Sequence, residues 1–292
     1  FVLIVREGAS GLWGDVPGNV RTEEVSPAPA GFRQHVSFAA VVERIAPDLL
    51  HYPMFDLPLR LPRLPCVVTI HDLNPVKFPH YYTRGRWWRR RAAEFLHRHA
   101  LSRASAVITP SRAVADELCE VFPNAGGKTT AVHHGYSRMR ADVENRGADR
   151  RDELPAKYLL YVGVHRPHKN LEGLIRAMAL LKPSHPDLKL LVAGSFDERF
   201  GGPLETAEAL GLEDSVEFTG YLDDDRLAVL YEHARAFVFP SFHEGFGFPL
   251  LEAMDFGVPV ACSDIPVHRE VAGEAAAFFD PASPAEIARV ID

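Results

Sequence analysis

The strongest constraint on the fold is a rhythm. Short runs rich in Val, Ile, Leu and Phe recur along the whole chain, with helical stretches between them. In the first half the runs are FVLIV (1–5), DLLHY (48–52), CVVTIH (66–71), SAVITP (105–110) and TAVHH (130–134). In the second they are KYLLYVG (157–163), LKLLVAG (188–194), SVEFTG (215–220), AFVFPS (236–241), VPVACS (258–263) and AAFFD (276–280). Helical patterns fall near 33–45, 84–102 and 111–121. The clearest follows Asn170, where Leu171, Leu174, Ile175, Met178 and Leu181 form one stripe and Asn170 is placed to cap it. Apolar strands alternating with helices imply parallel sheets covered on both faces.

The polar, charged and unpatterned segment 138–156 reads as a linker. It divides the 292 residues into 1–147 and 148–292, two doubly wound α/β domains in series. No apolar run approaches a membrane-spanning length, and FVLIV is too short for a signal peptide and has no basic lead. The three cysteines, Cys66, Cys119 and Cys262, are odd in number and form no CxxC pair. That argues against a disulfide framework or zinc site and for a reducing, cytoplasmic compartment. The net charge of −7 hides an asymmetry, because 1–150 hold 20 basic and 15 acidic residues (+5) and 151–292 hold 12 and 24 (−12). A basic first half suits an anionic acceptor or membrane surface.

In a doubly wound sheet the first strand lies centrally, and its turn into a helix faces the ligand. Here the first strand runs into a long polar stretch, Arg6 to Gln34, and the chain stops within the helical pattern PAEIARVID. The expectation is a fold lacking part of both ends, with at least one strand–helix unit absent at the front. The alternative is a first domain of unusual design.

Chemistry concentrates in HEGFGFPLLEAMDFGVPV, after the run AFVFPS. Pro249 suits a first helical position and Gly257 the residue past the end, so a short helix is expected over 249–256. It opens at the carboxyl end of a strand, where such sheets bind ligands, and its first-turn amides favour an anion. Gly245 and Gly247 let backbone approach a ligand closely. Glu244 precedes the turn and Glu252 lies eight residues on, in the expected first helical turn. Two carboxylates there can accept the paired hydroxyls of a sugar and a ribose. In isolation the pair reads as well as a helix-dipole partner and a solvated acid. Gly245-x-Gly247 with Asp264 some twenty residues on also imitates a dinucleotide fingerprint. It breaks at the third glycine, where Leu250 stands.

The same segment resembles the paired-glutamate signature of the retaining glycosyltransferases of family 4, which have the GT-B fold of two Rossmann-like domains facing across a cleft. The resemblance extends over KYLLYVGVHRPHKNLEGLIRAMALL and SVEFTGYLDDDRLAVLYEHARAFVFPS to the C-terminus, and more weakly over VVTIHDL, ASAVITPSRAVADEL and HHGYS. It implies that Glu252 holds ribose hydroxyls and that Glu244, with the amides of Gly245, Phe246, Gly247 and Phe248, holds the donor sugar. Gly220, Tyr221 and Leu222 would meet the base. Lys169, on the loop that begins at Gly163, would bind the donor diphosphate, where it would stabilise the charge that develops on departure. Where many members carry arginine after that glycine, this chain has Val164, and Arg166, His168 or a missing segment is the expected substitute. His71 would reach across the cleft to the donor sugar. His133 and His134 read as structural. Asp223-Asp224-Asp225 reads as a helix cap rather than a cation site.

The implied activity is metal-independent, retaining transfer of a hexosyl unit from a nucleoside-diphosphate sugar to a glycan or lipid-linked acceptor, with bacterial cell-envelope mannosyltransferases nearest in character. Glu244, Lys169 and His71 would position substrates and stabilise charge, with no cofactor. The basic cluster of RGRWWRRR and HRH, within 84–99, suits an anionic membrane surface at the inner leaflet or a diphosphate-linked acceptor, and equally a solvated helical face. No nucleic-acid motif accompanies it. A dinucleotide oxidoreductase and a non-catalytic nucleotide-sugar binding fragment are the competing readings.

Overall fold

The computed structural model describes residues 1–9, 11, 17–25, 34–79, 87–136, 154–197 and 199–292. The expected linker, and with it the boundary at 147/148, falls largely on 137–153, outside the described residues.

Strands β1 (Val2–Arg6) and β2 (Arg21–Val25) form a parallel pair, registered from Val2↔Arg21 to Arg6↔Val25. Helix α1 (Gln34–Ile45) follows. A four-stranded parallel sheet then runs in the order β3 (Leu50–Tyr52), β4 (Cys66–Thr69), β5 (Ala106–Thr109), β6 (Thr129–Ala131). Its helices are α2 (Asn74–Lys77), α3 (Trp87–Arg103) and α4 (Arg112–Val121). Val68, Ile70, Leu101, Leu118 and Phe122 make the centre of its core. β2 was not expected: RTEEV carries too many charges to signal a strand. Residues 84–86 of the expected 84–102 helix lie outside the described residues.

The second half is a six-stranded parallel sheet. Its strands are β7 (Tyr158–Val162), β8 (Lys189–Ala193), β9 (Val216–Gly220), β10 (Ala236–Phe239), β11 (Val260–Ser263) and β12 (Ala276–Phe279). Their spatial order is β12-β11-β10-β7-β8-β9. The helices are α5 (Leu171–Leu181), α6 (Gly202–Ala209), α7 (Asp224–His233), α8 (Phe248–Asp255), α9 (Pro266–Ala272) and α10 (Pro284–Ile291). Leu159 and Tyr161 of β7 pack with Leu174 and Ile175 of α5, while Tyr158 and Leu160 pack with Leu230 and Leu250 on the opposite face. The unbroken apolar strands are thus explained by cover on both sides.

The strand order fixes the site. The chain winds outward from β7 through β8 to β9, returns to the other side of β7 at β10, and winds outward again. The reversal lies between β7 and β10, and ligands of doubly wound sheets bind beyond the carboxyl ends of the strands at that point.

Local expectations fared unevenly. Asp223 caps α7 as anticipated, its Oδ1 accepting Arg226 N–H at 2.9 Å. Asn170 does not cap α5. It sits in the left-handed region at φ 54°, and its amide Nδ2 donates to the carbonyls of Pro240 (3.1 Å) and Pro281 (2.7 Å). Helix α8 begins one residue earlier than expected, so Glu252 is its fifth residue and lies in the second turn. Cys66 and Cys262 are buried free thiols, and burial pushes the Cys262 thiol up to about 12.

Candidate donor-sugar site

Two loops meet at the reversal point. After β7, a 3-10 turn over Pro167–Lys169 carries Lys169. After β10, Ser241 and Glu244 follow. The Lys169 Nζ lies 2.5 Å from Glu244 Oε1, which also accepts the Ser241 hydroxyl at 2.7 Å. Burial raises the Glu244 carboxyl, but the Lys169 charge and the hydrogen bonds from Lys169 and Ser241 outweigh it and hold the group below the usual carboxylate range. Glu244 is therefore a buried, charged acceptor at neutral pH. His268 of α9 lies within electrostatic reach of this pair and is fully buried. Burial pushes its imidazole down to about 4 against the opposing pull of Glu244, so the ring is neutral; its Nδ1 donates to the Ser263 carbonyl at 3.1 Å.

Gly245 and Gly247 have different reasons. A Cβ on Gly245 would stand 2.2 Å from the His71 carbonyl oxygen, so the glycine lets the two halves of the molecule touch. Gly247 takes φ 103°, a left-handed turn that leads into α8. Phe246 is buried and Phe248 is partly exposed beside it. Glu252 accepts the hydroxyl of buried Tyr231 at 2.8 Å. Burial raises the Glu252 carboxyl, more than the Tyr231 hydrogen bond lowers it, and Asp224 adds to the rise.

The remaining expected residues line the same edge. The Gly163 N–H donates to Ala193 O, and the Gly194 N–H to Gly220 O, both at 2.9 Å, so the ends of β7, β8 and β9 lie together. Tyr221, just beyond, is 79% exposed, while Leu222 packs toward the core. His168 departs from expectation. It is buried, lies near-parallel to the Phe78 ring at 6.2 Å, and is pushed down to about 4 by burial first and the Lys169 charge second. A neutral ring brings no positive charge, so Arg166 is the cationic side chain beside Lys169 on this turn.

From the first half, His71 follows β4 and hydrogen-bonds through Nε2 to the Pro53 carbonyl at 3.0 Å. Its ring stacks on His134 at 5.3 Å, and His134 stacks on Phe248 at 5.3 Å and meets Phe246 edge-on at 5.2 Å. His133 Nε2 lies 2.7 Å from Glu270 Oε1. In the sequence both histidines read as structural, within an expected strand over 130–134. It ends at Ala131, which leaves them in a loop at the carboxyl edge, the same position that marked His71. Glu117 of α4 takes the Lys77 ammonium, and both of its oxygens lie 3.0 Å from His243 Nε2.

Residues 145–292 match the family model of glycosyl transferases group 1, and residues 8–140 match that of glycosyltransferase family 4. This chain belongs to the group 1 glycosyl transferases. O-antigen chain mannosyltransferase B of Escherichia coli is 33% identical over 80% of this glycosyl transferase and 61% of its own length. O-antigen chain mannosyltransferase RfbU of Salmonella typhimurium is 28% identical over 73% and 56%. The chain thus spans about three fifths of the length of these relatives. Sucrose-phosphate synthase from Thermosynechococcus elongatus superposes with a TM-score of 0.72 at 23% identity, covering 95% of this chain and 74% of that one. Anabaena HepE, solved in complex with UDP-glucose, gives 0.69 at 22% over 93% and 75%. The fold is GT-B, two Rossmann-like units facing across a cleft. Membership of this family sets the dinucleotide reading aside. Leu250, which broke that fingerprint, is a core residue with no exposed surface.

Proposed function

We propose that this chain supplies the donor crevice of a metal-independent, retaining glycosyltransferase. It moves a hexosyl unit, mannosyl in the first instance, from a nucleoside-diphosphate sugar to a glycan or lipid-linked acceptor in bacterial cell-envelope polysaccharide synthesis. The observation that carries the reading is the buried Glu244–Lys169 pair at the reversal point between β7 and β10. The mannosyltransferase relatives and the HepE complex with UDP-glucose support it.

Glu244 stays ionised and accepts donor-sugar hydroxyls. Lys169 stands beside it as the cation for the departing diphosphate, with Arg166 nearby and the first-turn amides of α8 adding positive potential. Glu252 accepts ribose hydroxyls, held in place by Tyr231. Gly220, Tyr221 and Leu222 face the base. His71 lies on the acceptor side of the loop. The leaving diphosphate takes the acceptor proton, so no side chain serves as a nucleophile. Residues 84–99 meet an anionic membrane surface on the cytoplasmic side, while no described helix is long and apolar enough to cross one.

Titration with GDP, UDP, GDP-mannose, UDP-glucose and NAD tests this. At least one nucleoside diphosphate should bind, equally well in EDTA, and Glu252→Ala should weaken it at least tenfold. Binding of NAD alone would sink the proposal.

A further inference from the structure

The carboxylate of Glu270, on α9 of the second half, reaches across the junction. Oε1 accepts the backbone N–H of Arg112 at 2.7 Å, and Oε2 accepts that of Ala113 at 2.9 Å. These are the first two residues of α4, whose amides have no partner within the helix. Oε1 also meets His133 Nε2 at 2.7 Å. Among the described residues, every hydrogen bond to this carboxylate comes from the first half of the chain. Burial raises the carboxyl, but the two amides and His133 together hold it below the usual range. One residue before α4, the Ser111 hydroxyl accepts Val114 N–H at 3.1 Å and donates to the Gly245 carbonyl at 3.0 Å. The His71 carbonyl oxygen lies 2.2 Å from where a Cβ of Gly245 would stand.

We propose that Glu270 is a positioning residue that docks the amino end of α4, and so brings His71 and His134 against the Gly245–Phe248 loop. This rests on the reading of that loop as the donor site. The carboxylate does not help its own half to fold, since its partners all lie across the junction. It sets where the first half sits, with Ser111 and His71 gripping Gly245 as the consequence. Two acceptor oxygens facing two N–H donors require a carboxylate. Glutamine has nearly the same volume but turns an NH2 toward one of the donors.

Hydrogen exchange on the unmodified chain and on Glu270→Gln tests the proposal, read over the peptide containing Arg112 and Ala113. Exchange there should quicken at least tenfold in the variant. Affinity for UDP or GDP should stay within threefold, while donor hydrolysis should lose at least tenfold in kcat with KM within threefold. His133→Phe removes one of the three contacts without touching α4 and should give a smaller rise, about threefold. Unprotected amides at 112 and 113 in the parent chain overturn the proposal. So does unchanged exchange in Glu270→Gln, or nucleotide affinity that falls in step with kcat. A parent chain that binds neither UDP nor GDP overturns the donor-site reading instead, and the exchange result alone then decides on Glu270.

Discussion

At the scale of single residues, the Glu244–Lys169 pair decides most. Both side chains are largely buried, with 10% and 19% of their surface exposed. Removing one partner of a buried pair leaves a charge without compensation, which typically destabilises by about 3–5 kcal/mol, while replacing both is close to neutral. Lys169→Met should therefore lower the stability measured by urea unfolding by about 3 kcal/mol, and Lys169→Met with Glu244→Gln should recover most of that loss. Equal losses in the single and double variants would show that the pair is not coupled. Glu244, Glu252 and Lys169 stood out in the sequence through the resemblance to a family signature, with glycines and a proline marking the turn around the two glutamates. Their partners were not. Nothing adjacent to Ser241, Tyr231, His268 or Glu270 announces a contact made from 3 to 158 residues away. The burial of His168 was hidden for the same reason: Phe78, ninety residues away, packs near its ring, and the sequence HRPHK shows only a basic run.

At the scale of elements, Asn170 does more than a helix cap would. Its amide ties the start of α5 to the loop after β10 and to the loop after β12. Gly173 makes room for it, since a Cβ there would lie 2.4 Å from Asn170 Oδ1. Asn170→Ala orphans two carbonyls, one of them buried, and should destabilise by about 2 kcal/mol or more in the same unfolding assay. It should also weaken nucleoside diphosphate binding, because the loop after β10 carries Glu244. An affinity equal to that of the parent chain would disconnect Asn170 from the site. Among the described residues, eleven of the twelve strands were legible because continuous apolar runs need cover on both faces. The exception, β2, is the charged strand RTEEV, with Glu23 paired to Arg44 of α1, which no period-two or apolar test detects. The end of β6 was misplaced because Val132 extends the apolar pattern after the ladder stops at Ala131.

At the scale of the molecule, the charge asymmetry gains a location. Along α3, Trp88, Arg91, Phe95 and Arg98 follow one another at helical spacing on the solvent side, with Trp88 49% and Phe95 56% exposed. Aromatic and cationic side chains sharing a stripe suit the interface of an anionic bilayer. The chain should sediment with vesicles containing phosphatidylglycerol, and binding should weaken as salt rises. The Trp88→Ala, Phe95→Ala double variant should bind at least fivefold less, and no difference from the parent chain would return α3 to a plain solvated face. The junction between the halves has a longer reach. Each sheet is continuous in sequence, and across the middle Ser111, the first amides of α4 and His133 meet Gly245 and Glu270, Glu117 meets His243, Tyr136 meets Asp255, and His134 stacks on Phe248. Three of these hydrogen bonds, from Ser111 to the Gly245 carbonyl and from the amides of Arg112 and Ala113 to Glu270, use backbone groups, which survive changes of side chain. A lineage that keeps these groups, with the Glu117–His243 and Tyr136–Asp255 pairs, can thus vary the rest of its first half while the second stays the same.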